Sequence, residues 1–157
     1  MKIQKTLSII KPDAMKLKYS GKIIDFIEEK GFTIVAQKKI ILTNSQAEDF
    51  YSVHKERPFF SELVDFMISG PILVQILEAK DAVSYYREIM GSTDPSEAKE
   101  GTIRKLYGTN IQSGVILISV KGGDVLRYVS HGKEFQHFMW TWLGRVGQYY
   151  KQQASGT

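Results

Sequence analysis

Cysteine is absent from this 157-residue chain, which also has only three histidines and two tryptophans. The lack of cysteine excludes disulfide bonds and thiolate metal sites, and no two histidines have the spacing of metal ligands. No apolar run approaches the roughly 18–20 residues of a membrane span, so no membrane partner is expected. The stretch before the Lys-Pro-Asp at 11–13 is too short for a signal peptide, and a cytoplasmic protein is expected.

The positive charge is concentrated near the C-terminus. The net charge is +4, but residues 1–113 hold 16 basic and 15 acidic residues, whereas residues 114–157 hold 5 and 2. The same tail contains 7 of the 13 glycines and both tryptophans. Its charges are scattered, which indicates a solvated surface rather than contact with a phosphate backbone. Nucleic acid is therefore not expected as a partner, and only strongly salt-dependent DNA binding would favour it.

The apolar periodicity predicts one α+β domain. An apolar content of 43% over this length is enough for a single core. The predicted strands are 5–10, 32–42, 72–77 and 115–120, and the predicted helices are 21–30, 59–69, 81–90 and two that begin at the capping signals of 43–46 and 94–97. This order favours a ferredoxin-like βαββαβ sandwich, in which an antiparallel sheet carries helices on one face.

Three cations and a hydroxyl are candidates for binding a polyphosphate. Lys11 directly follows the first predicted strand, Arg87 lies in YYREIMGSTDP with Thr93 six residues later, and Arg104 lies in GTIRKLYG. Guanidinium groups bind phosphate oxygens in pairs, and lysine acts as a point charge. Each residue alone is more often structural or exposed to solvent, so the interpretation depends on their convergence in space.

The segment YSVHKERPFF suggests how a nucleobase could be held. Phe59 and Phe60 are adjacent at the head of a predicted helix, where one ring can face the core and its neighbour cannot. Either both rings pack, or the outward one stacks on a base. No Walker A motif, kinase Gly-rich loop or His-Arg-Asp is present. A metal would therefore arrive as Mg²⁺ on nucleotide phosphates.

Taken together, the stretches TLSIIKPDA, FYSVHKERPFFSELVDFMISGP, REIMGSTDP and GTIRKLYG closely resemble the nucleoside diphosphate kinase family, continuously from about residue 5 to residue 113. The resemblance implies a ferredoxin-like domain that commonly assembles into hexamers or tetramers. It also implies a ping-pong reaction, in which a nucleoside triphosphate gives its γ-phosphate to a histidine that passes it to a nucleoside diphosphate.

The resemblance assigns a role to each motif residue. Those that match the family's phosphate-holding groups are Lys11, Arg87, Thr93 and Arg104. Phe59 matches the ring that stacks on the base, and such stacking tolerates any base because every base has a π-face. Tyr51 matches the tyrosine beside the nucleophilic histidine.

The resemblance ends where the family's nucleophile is expected. The family continues with Asn-x-x-His-Gly-Ser-Asp, and an ungapped count from Arg104 places the asparagine on Gly114 and the histidine on Leu117. Leucine cannot be phosphorylated. Of the three histidines, His54 belongs to its own motif and suits a structural role, and His137 suits packing or the surface. His131, followed by glycine, is the remaining candidate, although Tyr128 stands where the asparagine would be.

Two explanations account for the tail. A diverged pseudoenzyme would bind nucleotides without turning them over. A one-base slip near codon 114 would instead leave residues 1–113 as a kinase-like domain and make 114–157 unrelated, although this segment could still supply the last strand and a helix. The abrupt loss of resemblance, with every upstream phosphate-site residue intact, favours the slip. An insertion before His131 is a third possibility, and the coding DNA separates these cases if another frame restores the missing motif.

Overall fold

In a computed structural model of the chain, residues 3–51, 55–108 and 115–118 are described, with 49, 50 and 115–118 described by their backbone. These residues form four strands: β1 (Ile3–Ile10), β2 (Thr33–Ile40), β3 (Ile72–Lys80) and β4 (Val115–Ile118). The helices between them are α1 (Pro12–Lys16), α2 (Ser20–Glu29), α3 (Asn44–Phe50), α4 (Phe60–Met67), α5 (Ala82–Met90) and α6 (Ile103–Tyr107). Within the described ranges, no helix combines the length and apolar character needed to cross a bilayer.

The strands form one antiparallel sheet in the order β2-β3-β1-β4. β1 pairs with β3 along its whole length and with β4 at its end, where Ser8 lies opposite Leu117. This order, together with helices α2 and α5 between the strands, is that of the ferredoxin-like α+β fold, so the predicted fold class is confirmed. The fourth strand, predicted over 115–120, is observed as Val115–Ile118.

Both faces of the sheet contribute to the core. Leu7 and Ile9 share a buried cluster with Met67 of α4. Ile10 shares the opposite cluster with Ile23 of α2 and Tyr86 of α5. Successive side chains of a strand point to opposite faces, so apolar residues at consecutive positions require cover on both sides. The structure therefore adds a second helical layer, from α3 and α4, to the single layer expected from the sequence.

Two local signals in the sequence form as predicted. In the capping box before α3, the backbone N–H of Thr43 donates to Gln46 Oε1 at 2.9 Å, and that of Gln46 donates to Thr43 Oγ1 at 3.1 Å. After α2, Gly31 adopts φ 94° and its N–H donates to Glu28 O at 3.0 Å. The backbone N–H of Phe32 donates to Ile27 O at 3.3 Å, which completes a Schellman motif.

The helix predicted to begin at Asp94 does not form. Asp94 Oδ1 accepts hydrogen bonds from the backbone N–H and the hydroxyl of Ser96, at 2.9 and 2.7 Å, as a helix start would. The chain then makes turns until α6 begins at Ile103. The residues in between, EAKEG, contain one apolar side chain, so a helix there would have no apolar face to bury. This prediction was wrong because the capping signal alone does not specify a helix.

Candidate functional site

Lys11 lies at the junction of β1 and α1 and is buried. It is the N-cap residue of α1, with extended backbone angles of φ −73° and ψ 163°, and Pro12 occupies the first helical turn. The side chain is only 6% exposed, and its Nζ lies 5.8 Å from the centroid of the Phe66 ring. The alternative interpretation of Lys11 as a surface lysine is therefore wrong. Strand geometry and the fixed φ of proline hold this ammonium group at the end of the sheet.

Burial changes the acid–base behaviour of Lys11. Desolvation lowers the pKa of its ammonium to about 8; Asp13 opposes this effect, and the charge of Arg104 adds to it. The effect of Arg104 shows that the two cations lie within range of one another although they are distant in the chain. A pair of partly desolvated like charges is unfavourable in isolation, and an anion bound between them would relieve the cost.

Arg104, at the start of α6, is positioned by the N-terminal cap of its helix and by a hydrogen bond of its own side chain. Thr102 is the N-cap of α6, and its hydroxyl oxygen accepts from the backbone N–H of Lys105 at 3.4 Å. Nη1 of Arg104 donates to the Gly91 carbonyl at 2.9 Å. Burial lowers the pKa of the guanidinium, and Tyr86 opposes that effect. Guanidinium groups stay protonated in proteins, so Arg104 supplies a permanent positive charge.

Tyr86 is buried where β1, α5 and α6 meet. Its hydroxyl lies 2.7 Å from Ser8 Oγ, and both side chains are fully buried. Burial raises the pKa of Tyr86 well above its ordinary value, whereas the Ser8 hydrogen bond and the charge of Arg104 lower it. A buried tyrosine hydroxyl requires a hydrogen-bond partner, and Ser8 supplies one.

Arg87 and Thr93 lie on the segment to which Arg104 is bound. Arg87 is in the last turn of α5, and Thr93 is in the loop that follows Gly91; both are exposed. The Arg104–Gly91 hydrogen bond ties α6 to the beginning of this loop. The elements that carry Lys11, Arg87, Thr93 and Arg104 are thus joined to one another, and the role of each side chain stays a prediction.

Tyr51 and Phe59 belong to the other face of the sheet. Tyr51 is 6% exposed and packs in the cluster that also contains Leu63 and Val64 of α4. Phe59 is the N-cap residue of α4 and is 40% exposed, whereas the neighbouring Phe60 packs against the core. Of the two alternatives for this pair, the structure therefore has one ring inward and one ring accessible.

The predicted positions of the nucleophile fall largely outside the described residues. His54, His131 and His137 all lie outside them, as do Gly114 and Tyr128. Leu117, the position that the resemblance gives to the nucleophile, is described by its backbone. It lies in β4, opposite Ser8 of β1.

The structure adds Ser8, Tyr86 and Gly91 to the residues that the sequence singled out. Gly91 has φ 86°, and a Cβ atom built on it would lie 2.5 Å from Thr102 Oγ1. A glycine directly after a predicted helix is a signal that could have identified this position. No local signal identifies the Ser8–Tyr86 contact, because its partners are 78 positions apart.

The comparisons with known proteins agree with this geometry. The family model described as nucleoside diphosphate kinase matches residues 4–128, which extends past Ser113, where the readable motifs end. The nucleoside diphosphate kinase of Rhodopseudomonas palustris strain BisA53 is 56% identical over 124 residues, covering 79% of this chain and 86% of that protein. That of Persephonella marina is 53% identical over 116 residues, covering 74% and 83%.

Solved structures give the same result. The nucleoside diphosphate kinase of Aquifex aeolicus superposes with a TM-score of 0.75 at 39% identity, covering 82% of this chain and 93% of that one. The enzyme of Halobacterium salinarum, solved in complex with CDP, superposes with a TM-score of 0.74 at 29% identity, covering 81% and 87%. The order of the strands, the motifs around the buried Lys11 and these similarities lead to one conclusion: the chain belongs to the nucleoside diphosphate kinase family.

Proposed function

We propose that the chain binds nucleoside di- and triphosphates through Lys11, Arg87, Thr93 and Arg104, with Tyr51 as the tyrosine that the family has beside its nucleophilic histidine. We further propose that its activity is that of the family: the γ-phosphate of a triphosphate passes to a histidine and then to a diphosphate. The observation that supports this best is the burial of Lys11, whose pKa is lowered in part by the charge of the half-buried Arg104. Phosphoryl transfer depends on positioning and on cationic stabilisation of the phosphate oxygens, which these two side chains are suited to supply.

Mg²⁺ is proposed to enter with the nucleotide. The side chains at the site are cationic and suit phosphate oxygens rather than a bare metal ion. In the part of the chain that the structure describes, no group of three or more His, Asp or Glu residues could hold a metal. Bound to the phosphates, Mg²⁺ would neutralise part of their charge. A cytoplasmic location and a hexameric or tetrameric assembly are proposed with this function, on the resemblance to the family.

Phe59 is proposed to stack on the nucleobase. Its ring is 40% exposed at the start of α4, and every base presents a π-face. We expect Phe59→Ala to lower the affinity for ADP, GDP and CDP alike by roughly 5–150-fold, which corresponds to about 1–3 kcal/mol per stacked base. Isothermal titration with each diphosphate measures this. Phe60→Leu, a change on the core side of the same turn, is the matched control. A loss confined to one base would contradict stacking as the mode of base binding.

The nucleophile is tested by looking for a phosphoenzyme. Incubation with a γ-³²P-labelled nucleoside triphosphate should label the chain with an acid-labile, base-stable phosphoryl group, because phosphohistidine is cleaved by acid. Leu117 cannot carry the group, so a label must lie on another residue, for which His131 is the weak candidate. Loss of the label in His131→Gln but not in His137→Gln would identify it. Labelling that survives His131→Gln would contradict the assignment of that residue. An acid-stable label would contradict the phosphohistidine mechanism.

A nucleotide-binding protein without transfer chemistry is the second candidate. The observation that favours it is the leucine at position 117, where the family's histidine is expected. Under this hypothesis, the chain binds ADP in a titration but forms no phosphoenzyme. A chain that neither binds ADP nor forms the adduct would contradict both proposals. DNA binding that weakens steeply with salt would favour a nucleic-acid binder instead.

A further inference from the structure

One hydrogen bond joins two of the elements that carry phosphate-site residues. The hydroxyls of Ser8 and Tyr86 lie 2.7 Å apart, and both side chains are fully buried. Ser8 lies in β1, three residues before Lys11. Tyr86 lies in α5 and directly precedes Arg87. The contact therefore fixes the strand that leads to one cation against the helix that carries another.

Ser8 also connects Tyr86 to polar side chains of the sheet. The Ser8 hydroxyl donates to Gln75 Oε1 at 3.3 Å, and Gln75 Nε2 donates in turn to Gln37 Oε1 at 3.2 Å. Either hydroxyl of the Ser8–Tyr86 pair can act as the donor, and the bond between them satisfies the buried tyrosine oxygen in both cases.

The helix that carries Tyr86 also holds Arg104. Gly91 is the C-cap residue of α5, and its carbonyl accepts from Nη1 of Arg104 at 2.9 Å. Ile103, the residue before Arg104, packs in the same core cluster as Tyr86. Tyr86 thus lies where β1, α5 and α6 meet, and Arg104 and Tyr86 influence one another's pKa.

We propose that Tyr86, anchored by Ser8, is a positioning residue that aligns Arg104 with Lys11 for binding the nucleotide phosphates. This inference rests on the proposed nucleotide-binding function. Tyr86 itself touches no phosphate. Its effect is to hold the end of α5, and with it the Gly91 carbonyl that orients the guanidinium, before the nucleotide binds.

The test compares phosphate-dependent and phosphate-independent binding in the full chain. Tyr86→Phe removes the hydroxyl and keeps the ring. We expect its affinity for ADP to fall about tenfold, equivalent to about 1.4 kcal/mol, while its affinity for adenosine, measured by competition, stays the same. Ser8→Ala removes the other partner of the same bond and should cause a similar loss for ADP.

Tyr85→Phe is the matched control. The Tyr85 hydroxyl donates to Lys30 O at 2.8 Å, so this variant also loses one tyrosine hydrogen bond on α5, directed at the end of α2. We expect its thermal stability to fall somewhat and its affinity for ADP to stay the same. Comparable melting temperatures for Tyr85→Phe and Tyr86→Phe would show that a difference in ADP affinity is not a general loss of stability.

A double-mutant cycle with Arg104→Gln tests the route of the effect. If Tyr86 acts through Arg104, adding Tyr86→Phe to Arg104→Gln should lower ADP affinity by less than twofold further. Full additivity would overturn the inference, as would ADP affinity within twofold of wild type in Tyr86→Phe, or an equal loss for ADP and adenosine. Failure of the wild-type chain to bind ADP would contradict the proposed function itself, which separates the two failures.

Discussion

Gly91→Ala is expected to destabilise the chain by about 3 kcal/mol, through backbone strain and a steric clash that each cost roughly 1–3 kcal/mol. Gly91 has φ 86° and ψ −177°, a region that is essentially restricted to glycine. An added Cβ would lie 2.5 Å from Oγ1 and 2.8 Å from Cβ of Thr102. Thr102 cannot move away freely, because it is buried and its hydroxyl donates to Lys99 O at 2.7 Å.

The same substitution should weaken nucleotide binding. The Gly91 carbonyl accepts from Nη1 of Arg104, and Thr102 caps the helix that carries Arg104. A shift of either group displaces the guanidinium. We expect the affinity for ADP to fall at least tenfold under conditions where the variant is still folded, because hydrogen bonds to charged groups contribute about 1.5–3 kcal/mol each. Urea denaturation followed by isothermal titration measures both effects.

Two other glycines provide controls for Gly91. Gly31→Ala has the same kind of backbone strain, with φ 94°, but nothing lies within 4 Å of the added Cβ. It should therefore cost roughly 1 kcal/mol and leave ADP affinity unchanged. Gly21→Ala, in a helix with open space around it, should be neutral or slightly stabilising. A Gly91→Ala variant as stable as Gly31→Ala would show that the Thr102 contact is relieved without cost.

The second large effect is expected at Lys11, where nucleotide affinity and stability should respond to pH in opposite directions. The pKa of Lys11 is lowered to about 8 in the folded chain, chiefly by desolvation. The affinity for ADP should be greatest below pH 8 and should fall as the ammonium loses its proton above it. Lys11→Met should lower ADP affinity by roughly 10–100-fold at pH 7, since charged hydrogen bonds are worth about 1.5–3 kcal/mol.

Stability without nucleotide should rise over the same range. Between the folded pKa of about 8 and the ordinary lysine value of 10.5, the unfolded chain binds more protons than the folded one. The free energy of unfolding therefore increases with pH across this window, by up to about 3 kcal/mol from this group. Denaturation of wild type and Lys11→Met from pH 7 to 10.5 measures the difference. Identical slopes for the two proteins would contradict the lowered pKa.

Lys16→Met is the matched control for Lys11. Lys16 is exposed in the last turn of the same short helix. Its removal should leave both the pH dependence of ADP affinity and that of stability as in the wild type. Any change shared by the two variants would then reflect net charge rather than the buried ammonium.

Much of the fold could be predicted because it is encoded locally. The apolar runs around Ile9 and Ile72 specify strands, the Thr43–Gln46 capping box starts α3, and Gly31 ends α2. The signal at Asp94 failed because a cap specifies a helix only when an apolar face follows it. The adjacent Phe59 and Phe60 left two alternatives open in the sequence, and the structure decides between them with Phe59 exposed.

The motifs predict the members of the candidate site, and those roles stay predictions, whereas the arrangement of the site could not be predicted from the sequence. The motifs identified Lys11 and Arg104, yet nothing in the sequence shows that one is buried and within range of the other. The contacts that arrange them, Ser8 with Tyr86 and Arg104 with Gly91, join residues that are 78 and 13 positions apart. Such contacts depend on how the elements pack together, which the local pattern of residues does not specify.

The central position of β1 has a consequence for the order in which the protein is built. β1 is the first of the four strands to be synthesised. Its Ile10 pairs with Leu73 of β3 and its Leu7 pairs with Ile118 of β4, so both pairings form only after the later strands have been made. A growing chain can complete β1, β2 and β3, with every proposed phosphate-binding residue, before β4 leaves the ribosome. The change of composition at position 114 therefore affects the sheet only at β4, the edge strand that is added last. A chain altered from that codon onwards keeps β1, β2, β3 and every proposed phosphate-binding residue unchanged in sequence.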